Sequence, residues 1–375
     1  MENSNFDLVR LVRTVFSPKA GERVGVFIDL KEPQGVRQLE FLQDPAEVTR
    51  RIAYTVFYRG LLEKRAELQL ASVEFYAYEP TGGSNLDLPA TVMDLNGKTL
   101  RLVEDVLSRT SIVLYLSTFS ATAPLTALAK KMGFRGATLH GCNELILRTG
   151  LARNYEEVSA KAERFRQAVT RCDQVTLEFE TLGHVYRLAL ELGRQEAQKS
   201  HGLCPMPGEI ANLPAGEIYW VPTNAYGQFP VKFKDDGTLG LMTVADLRIK
   251  HASLLRGNEK AVQRSLALFQ EDPATGELGE LGLGTQVLPF AGADIQDEKV
   301  LGTVHVATGR DDHLGGSLDP SKFKDKRHAT HEDILFAPHK TPEINLNGVW
   351  MHKDGKEVLL IQNYQPTEFV KRVAL

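Results

Sequence analysis

Two periodicities meet in this chain, and the place where one gives way to the other constrains the fold more than any single motif. Up to about residue 172, strand-like apolar runs alternate with helical spacing. FDLVRLVRTVF (6–16) reads as a helix, and GERVGVFIDL (21–30) as a turn and a strand. Residues 45–65 read as a long helix with Pro45 at its start, and VEFYAY (73–78) as a strand. KTLRLVEDVLSRT (98–110) reads as a helix and SIVLYLSTFS (111–120) as a strand. APLTALAKKMG (123–133) reads as a helix stopped by Gly133. Such alternation predicts an α/β N-terminal domain, residues 1–172, with a mostly parallel sheet covered by helices. No Gly-x-Gly-x-x-Gly follows the first strand, so a dinucleotide site has no support.

After the charged helical segment NYEEVSAKAERFRQAVTRC (154–172), the pattern becomes one of short strands and turns. QVTLEFETLGHVYRLAL (174–190) reads as a hairpin turning near Gly183. GEIYWVPT, FPVKF, TLGLMTV and GTVHVATG read as further strands. EINLNGVWMHKDGKEVLLI reads as a last hairpin turning at Asp354-Gly355. Residues 191–216 read as a Pro- and Gly-marked connector, and only 258–272 as a helix. Residues 173–375 are therefore expected to form a β-rich, mostly antiparallel domain, giving an α+β C-terminal half.

The 375 residues suffice for two such domains. A net charge of −4, with both signs mixed along the chain, excludes the basic footprint of a nucleic-acid binder. No apolar run approaches the roughly 20 residues of a membrane span, and the N-terminus lacks the basic and apolar regions of a secretory signal. Three scattered cysteines without a Cys-x-x-Cys point to reduced thiols. A cytoplasmic protein without membrane or nucleic-acid partners is expected. Gly-x-Ser-x-Gly, Walker A and His-Glu-x-x-His motifs are absent.

Residues 302–336 hold four of the ten histidines: His305, His313, His328 and His331. His331 and Asp333 sit two apart on an expected strand and so share a face. An imidazole beside a carboxylate suits Zn, Fe, Mn or Co, although the same pair is common on surfaces. His305 lies in an apolar strand, where a histidine by itself reads as a core or rim residue. Glu280 lies in GELGLGT, whose glycines permit close approach of other groups. Alone it reads as a turn residue. Glu217 opens an apolar strand, a position that alone reads as a solvated edge.

Taken in order, these segments resemble a known pattern: Glu217 in NLPAGE, Glu280 in GELGLGT, His305 in DEKVLGTVHVATG, then Gly315-Gly316 and His331-x-Asp333. The pattern resembles the M29 family of metalloaminopeptidases, of the aminopeptidase T type. GERVGVF and NYEEVSAKAERF are also similar to family segments. The resemblance implies a dinuclear centre of two divalent metal ions (Zn, Co or Mn) held by Glu217, Glu280, His305, His331 and Asp333. It further implies a metal-bound hydroxide that attacks an amide or N-terminal peptide bond, with Glu217 or Glu280 as general base. A homodimer acting on a small molecule or short peptide completes that expectation. Asp297 and Glu298 then read as supporting residues.

The family's tyrosine falls at Asp312 here, making the chain an atypical member. An ionised carboxylate cannot donate to an oxyanion as a phenol does. His313, next to Asp312, is the candidate substitute. Lys322, Lys324, Lys326 and Arg327 suggest a loop that attracts an anionic group of the substrate. A second reading takes His305, His331 and Asp333 as the triad of a mononuclear non-haem iron ring-opening dioxygenase. That reading rests on a likeness to the 2,5-dihydroxypyridine dioxygenases, which have a histidine where this chain has Glu280. A third is a non-hydrolytic binding protein on the same fold.

Overall fold

The structure is a computed structural model that describes residues 6–233 and 237–374. It has mixed α/β content, with one mostly parallel sheet and two antiparallel ones. The chain packs as two compact units. One comprises residues 1–159, 200–215 and 288–296, and the other 160–199, 216–287 and 297–375.

The first unit is built on a seven-stranded sheet. Its order is Ile210–Asn212, Arg135–Thr138, Ile112–Tyr115, Arg23–Asp29, Ser72–Tyr78, Thr91–Asp94 and Thr99–Arg101. The first five strands run parallel and the last two antiparallel. Side-chain alternation along Arg23–Asp29 explains why helices cover both faces. Val24, Val26 and Ile28 bury against Leu11, Val12, Val15 and Phe16 of helix Leu8–Phe16. Phe27 buries the other way, with Leu125 and Ala129 of helix Thr122–Met132. Asp7 caps the first helix by accepting the Arg10 backbone N–H at 3.0 Å.

Two helical expectations change. Residues 98–110 begin as strand Thr99–Arg101, paired with Thr91–Asp94. The Asp105 carboxylate accepts the Arg101 backbone N–H at 2.9 Å, so helical turns start only at Leu102. The helix expected over 45–65 begins at Val48 and widens into a π-helical stretch over Ala53–Tyr58. The expected connector contributes Gln198–Ser200 and Ile210–Asn212 as short strands.

The second unit has two antiparallel sheets. Eight strands, including the hairpin Gln174–Thr181 and His184–Glu191, form the larger one. Leu182 and Gly183 join that hairpin with φ of 51° and 76°. Two residues with φ > 0 make the turn whose twist suits a tight hairpin. The smaller sheet has the order His331–Phe336, Val304–Gly309, Leu278–Gly284, Glu217–Trp220 and Gln198–Ser200. Ile218, Trp220, Leu281, Leu283, Val304, Val306 and Phe336 share one core with Val175, Leu177, Phe179, Leu188 and Val349 of the larger sheet. That core takes every second residue of the smaller sheet, so its alternate residues face the other way.

Candidate metal centre

Period-two alternation gathers the polar residues. With Ile218, Leu281, Val304, Val306 and Phe336 in the core, Glu217, Glu280, His305, His331 and Asp333 fall on the opposite face of the smaller sheet. Cross-strand register then aligns them. Tyr219 pairs with Gly282, Gly282 with His305, and Ala307 with Asp333. Gly282 is required where it is: a Cβ there would lie 2.0 Å from His305 Cε1. All of these residues belong to the second unit.

Donor atoms gather as two groups that share Glu280. Glu217, Glu280 and His305 form one, and Glu280, His331 and Asp333 the other. Within each group the atoms lie within 4.8 Å of one another. His305, His331 and Asp333 are not brought together as a triad of their own among the described residues.

The His331 ring shows that this face expects a cation. Its Nδ1–H donates to the Arg310 carbonyl at 2.6 Å, since a carbonyl can only accept. Nε2 is then the atom set between Glu280 Oε2 at 3.0 Å and Asp333 Oδ1 at 3.3 Å. A lone pair facing two carboxylates is repulsive unless a proton or a metal ion lies between them. Burial opposes a charged ring here, but Asp333 and Glu280 outweigh it and push the His331 pKa well above its ordinary value. Burial also raises the Glu280 carboxyl, yet His305 and His331 hold it down at about 2. His305 is likewise drawn up to about 10, because Glu280, Glu217 and Glu298 overcome its desolvation. Glu217 Oε2, His305 Nδ1 and Asp333 Oδ1 are buried without a hydrogen-bond partner. Unsatisfied buried polar atoms are costly, and Glu217 Oε2 is the one that lies beside His305 Nε2, at 3.8 Å. The residues present thus fit a divalent ion.

Lys299 is the residue that sequence reasoning missed. Its side chain is 1% exposed, and its Nζ lies 2.5 Å from both Glu217 Oε1 and Glu298 Oε1. Burial alone would discharge an ammonium; the two carboxylates hold it charged instead. Burial raises Glu298 to about 8 despite Lys299. The only sequence signal was the adjacent Glu298-Lys299 pair. Tyr219 was also missed, although it lies two residues after Glu217 on the same face. Burial, then Glu280 and Glu217, hold its phenol protonated well above the ordinary value.

Asp312 is engaged by Arg310, Nε to Oδ1 at 2.6 Å and Nη2 to Oδ2 at 3.2 Å. His313 sits on a short helical turn, Asp312–Leu314, with its side chain 4% exposed. Its ring stands nearly perpendicular to His331 with centroids 5.0 Å apart, and Nδ1 has no hydrogen-bond partner. Burial first, then His331, holds it neutral. Asp297 pairs with His339 at 2.9 Å, and His328 with Asp272 at 3.2 Å. Lys322 and Lys324 line a separate surface groove of about 320 Å³ with Arg248, Asp272 and Glu277.

No family model and no curated protein matches the chain. Among solved structures, it is similar to 2,5-dihydroxypyridine dioxygenase from Pseudomonas putida. The TM-score is 0.62 at 13% identity, covering 96% of this chain and 95% of the other. This likeness corrects the identification with the M29 aminopeptidases, and with it the expected hydrolase class and amide-cleaving function. The fold is shared with a dioxygenase over nearly its whole length. The misleading motifs were those that place carboxylates and imidazoles on one sheet face. That arrangement specifies a metal-binding surface and leaves the reaction open. No helix among the described residues is long and apolar enough to cross a membrane.

Proposed function

We propose that the chain is a mononuclear, iron-dependent dioxygenase that opens a hydroxylated aromatic ring, such as a hydroxypyridine. Glu280, His331 and Asp333 would hold the ion. The observation that carries this reading is His331 Nε2 set between two buried carboxylates, on a fold shared with a 2,5-dihydroxypyridine dioxygenase. Three protein donors would leave coordination positions open for oxygen and substrate, with two carboxylates and one imidazole in place of the two-imidazole, one-carboxylate triad.

When bound, ferrous iron supplies a redox-active centre at which dioxygen and the ring are brought together. The chain's own residues do the rest. Arg310 fixes the His331 tautomer through its carbonyl. His305 lies 3.5 Å from Glu280 Oε1 and orients that carboxylate. His313 offers an open Nδ1 beside His331 to hydrogen-bond a hydroxyl or ring nitrogen of the substrate. Tyr219, kept protonated, offers a second donor on the same face. Both atoms of O2 enter the substrate as one ring C–C bond breaks.

The test is protein purified without oxygen and loaded with ferrous iron, then mixed with a panel of hydroxypyridines and dihydroxybenzenes. Oxygen uptake equal to the loss of ring absorbance is expected for at least one substrate. Iron-loaded protein that consumes no oxygen across the panel overturns the reading.

A further inference from the structure

We propose that the groove between Arg248 and residues 317–324 is a binding site for a small oxyanion, a carboxylate or a phosphate. It contains none of the metal-centre donors, and the proposal does not depend on the reaction assigned above.

The backbone sets its cations in place. Phe323 is extended, with φ of −88° and ψ of 145°, and buries its ring with Ala274, Leu318 and Ala329. Neighbouring side chains of an extended segment point opposite ways, so burying Phe323 turns Lys322 and Lys324 out to solvent together. Asp272, whose side chain is 1% exposed, pins that backbone. Its Oδ2 accepts the Lys324 backbone N–H at 2.9 Å and lies 3.2 Å from His328 Nδ1. Lys322 and Lys324 then line one groove of about 320 Å³ with Arg248 and Ser317.

The nearby acids are engaged elsewhere. Asp319 Oδ1 accepts the Ser321 backbone N–H at 2.7 Å, and Asp325 Oδ2 accepts from Arg327 Nε at 2.9 Å. Glu277 Oε2 takes Arg248 through Nε at 2.8 Å and Nη2 at 2.7 Å, which leaves Nη1 of the guanidinium open. Among the described residues, neither Lys322 nor Lys324 forms an ion pair. The lining therefore carries three cations, Arg248, Lys322 and Lys324, against two carboxylates, Asp272 and Glu277, that already have partners. Two ammonium groups on one side of a pinned backbone repel each other. An oxyanion relieves that repulsion and can accept charge-assisted hydrogen bonds from both, with Arg248 Nη1 and the Ser317 hydroxyl as further donors. A bound anion would also join the strand Arg248–Arg256 to the segment that carries His313.

The experiment is calorimetric titration of the full chain with inorganic phosphate and, separately, with succinate, at constant ionic strength. Wild type is expected to take up about one anion per chain with a Kd of about 1 mM or tighter. Lys322→Gln/Lys324→Gln should weaken that binding tenfold or more. Lys260→Gln/Lys326→Gln removes the same charge from exposed positions outside the groove and should change Kd less than threefold. His331→Gln, which alters the metal centre alone, should also stay within threefold. Saturation by phosphate only makes the site a phosphate site, by succinate only a carboxylate site, and by both a general oxyanion site; each supports the proposal. Three results overturn it. The first is no saturable binding of either anion by wild type. The second is equal behaviour of the two lysine pairs, which reduces the effect to diffuse charge attraction. The third is loss of binding in His331→Gln, which places the anion on the metal centre.

Discussion

At the scale of single residues, His331 makes the sharpest commitment. Its Nδ1–H is spent on the Arg310 carbonyl, so only Nε2 is left for an ion. His331→Gln should keep a polar side chain yet lose the imidazole donor. Iron per chain should fall from about one to near zero, with oxygen consumption lost, while far-UV circular dichroism is unchanged. Retained iron at wild-type affinity would rule out His331 as a ligand. His313 tests the substrate side. His313→Phe preserves the ring packed against His331 but removes the open Nδ1. Iron content should stay at about one per chain. The Kd for a hydroxypyridine, titrated without oxygen, should rise about tenfold, the value of one hydrogen bond of roughly 1.4 kcal/mol. Unchanged binding would reduce His313 to a packing residue. His331 and Asp333 were legible as a pair from their two-residue spacing on one strand, whereas Glu217, Glu280 and His305, each alone an edge, turn or core residue, were picked out only by the family resemblance. Lys299 was not. A lysine is expected in water, and the approach of Glu217 from a distant strand, together with the adjacent Glu298, makes its burial tolerable.

At the scale of elements, alternation and turn chemistry carried most of the readable signal. The hairpin at Gly183 and the last one at Asp354-Gly355 both turn where expected, each with two residues of positive φ. Residues 98–110 were misread because Leu100, Leu102, Val103 and Val106 suit a helix, while the start of the segment is claimed by cross-strand pairing to Thr91–Asp94. Tertiary pairing overrides local spacing there. The Leu278–Gly284 strand offers a paired prediction, because its neighbouring residues serve opposite faces. Leu283→Ala empties part of the core and should cost about 2–5 kcal/mol of stability while leaving metal affinity within threefold. Gly282→Ala drives a methyl into the His305 ring and disturbs the neighbour that orients Glu280. It should weaken metal binding by about 10–100-fold. Thermal melts and metal titrations on both proteins decide this; the reverse pattern would mean the two faces are assigned the wrong way round.

At the scale of the molecule, the mixed α/β organisation was legible, since long-range alternation reports which residues must be buried. The reaction class was not, because a carboxylate- and imidazole-lined sheet face serves hydrolysis and oxygenation alike, and the whole-chain likeness to a dioxygenase is a likeness of fold. Metal and proton compete for the same basin, and this links the site to stability and pH. Without metal, His305 is raised from 6.5 to about 10. A raised histidine contributes stability that is complete below pH 6.5 and is lost as pH rises through about 10. Glu280, lowered from 4.5 to about 2, contributes stability present above pH 4.5 and lost as pH falls through about 2. For this pair, metal-free protein is therefore most stable between about pH 4.5 and 6.5, and its Tm should fall from pH 7 to pH 10. A bound ion replaces the proton on His331 Nε2, so loading should release about one proton per ion at pH 7, and metal affinity should rise with pH. Calorimetric titration in two buffers of different ionisation enthalpy reads that proton directly, and melts of metal-free and loaded protein across the same range read the stability. A metal-free Tm that holds level to pH 10, together with no proton release, would mean that the carboxylates and imidazoles of this face are not coupled through a shared cation position.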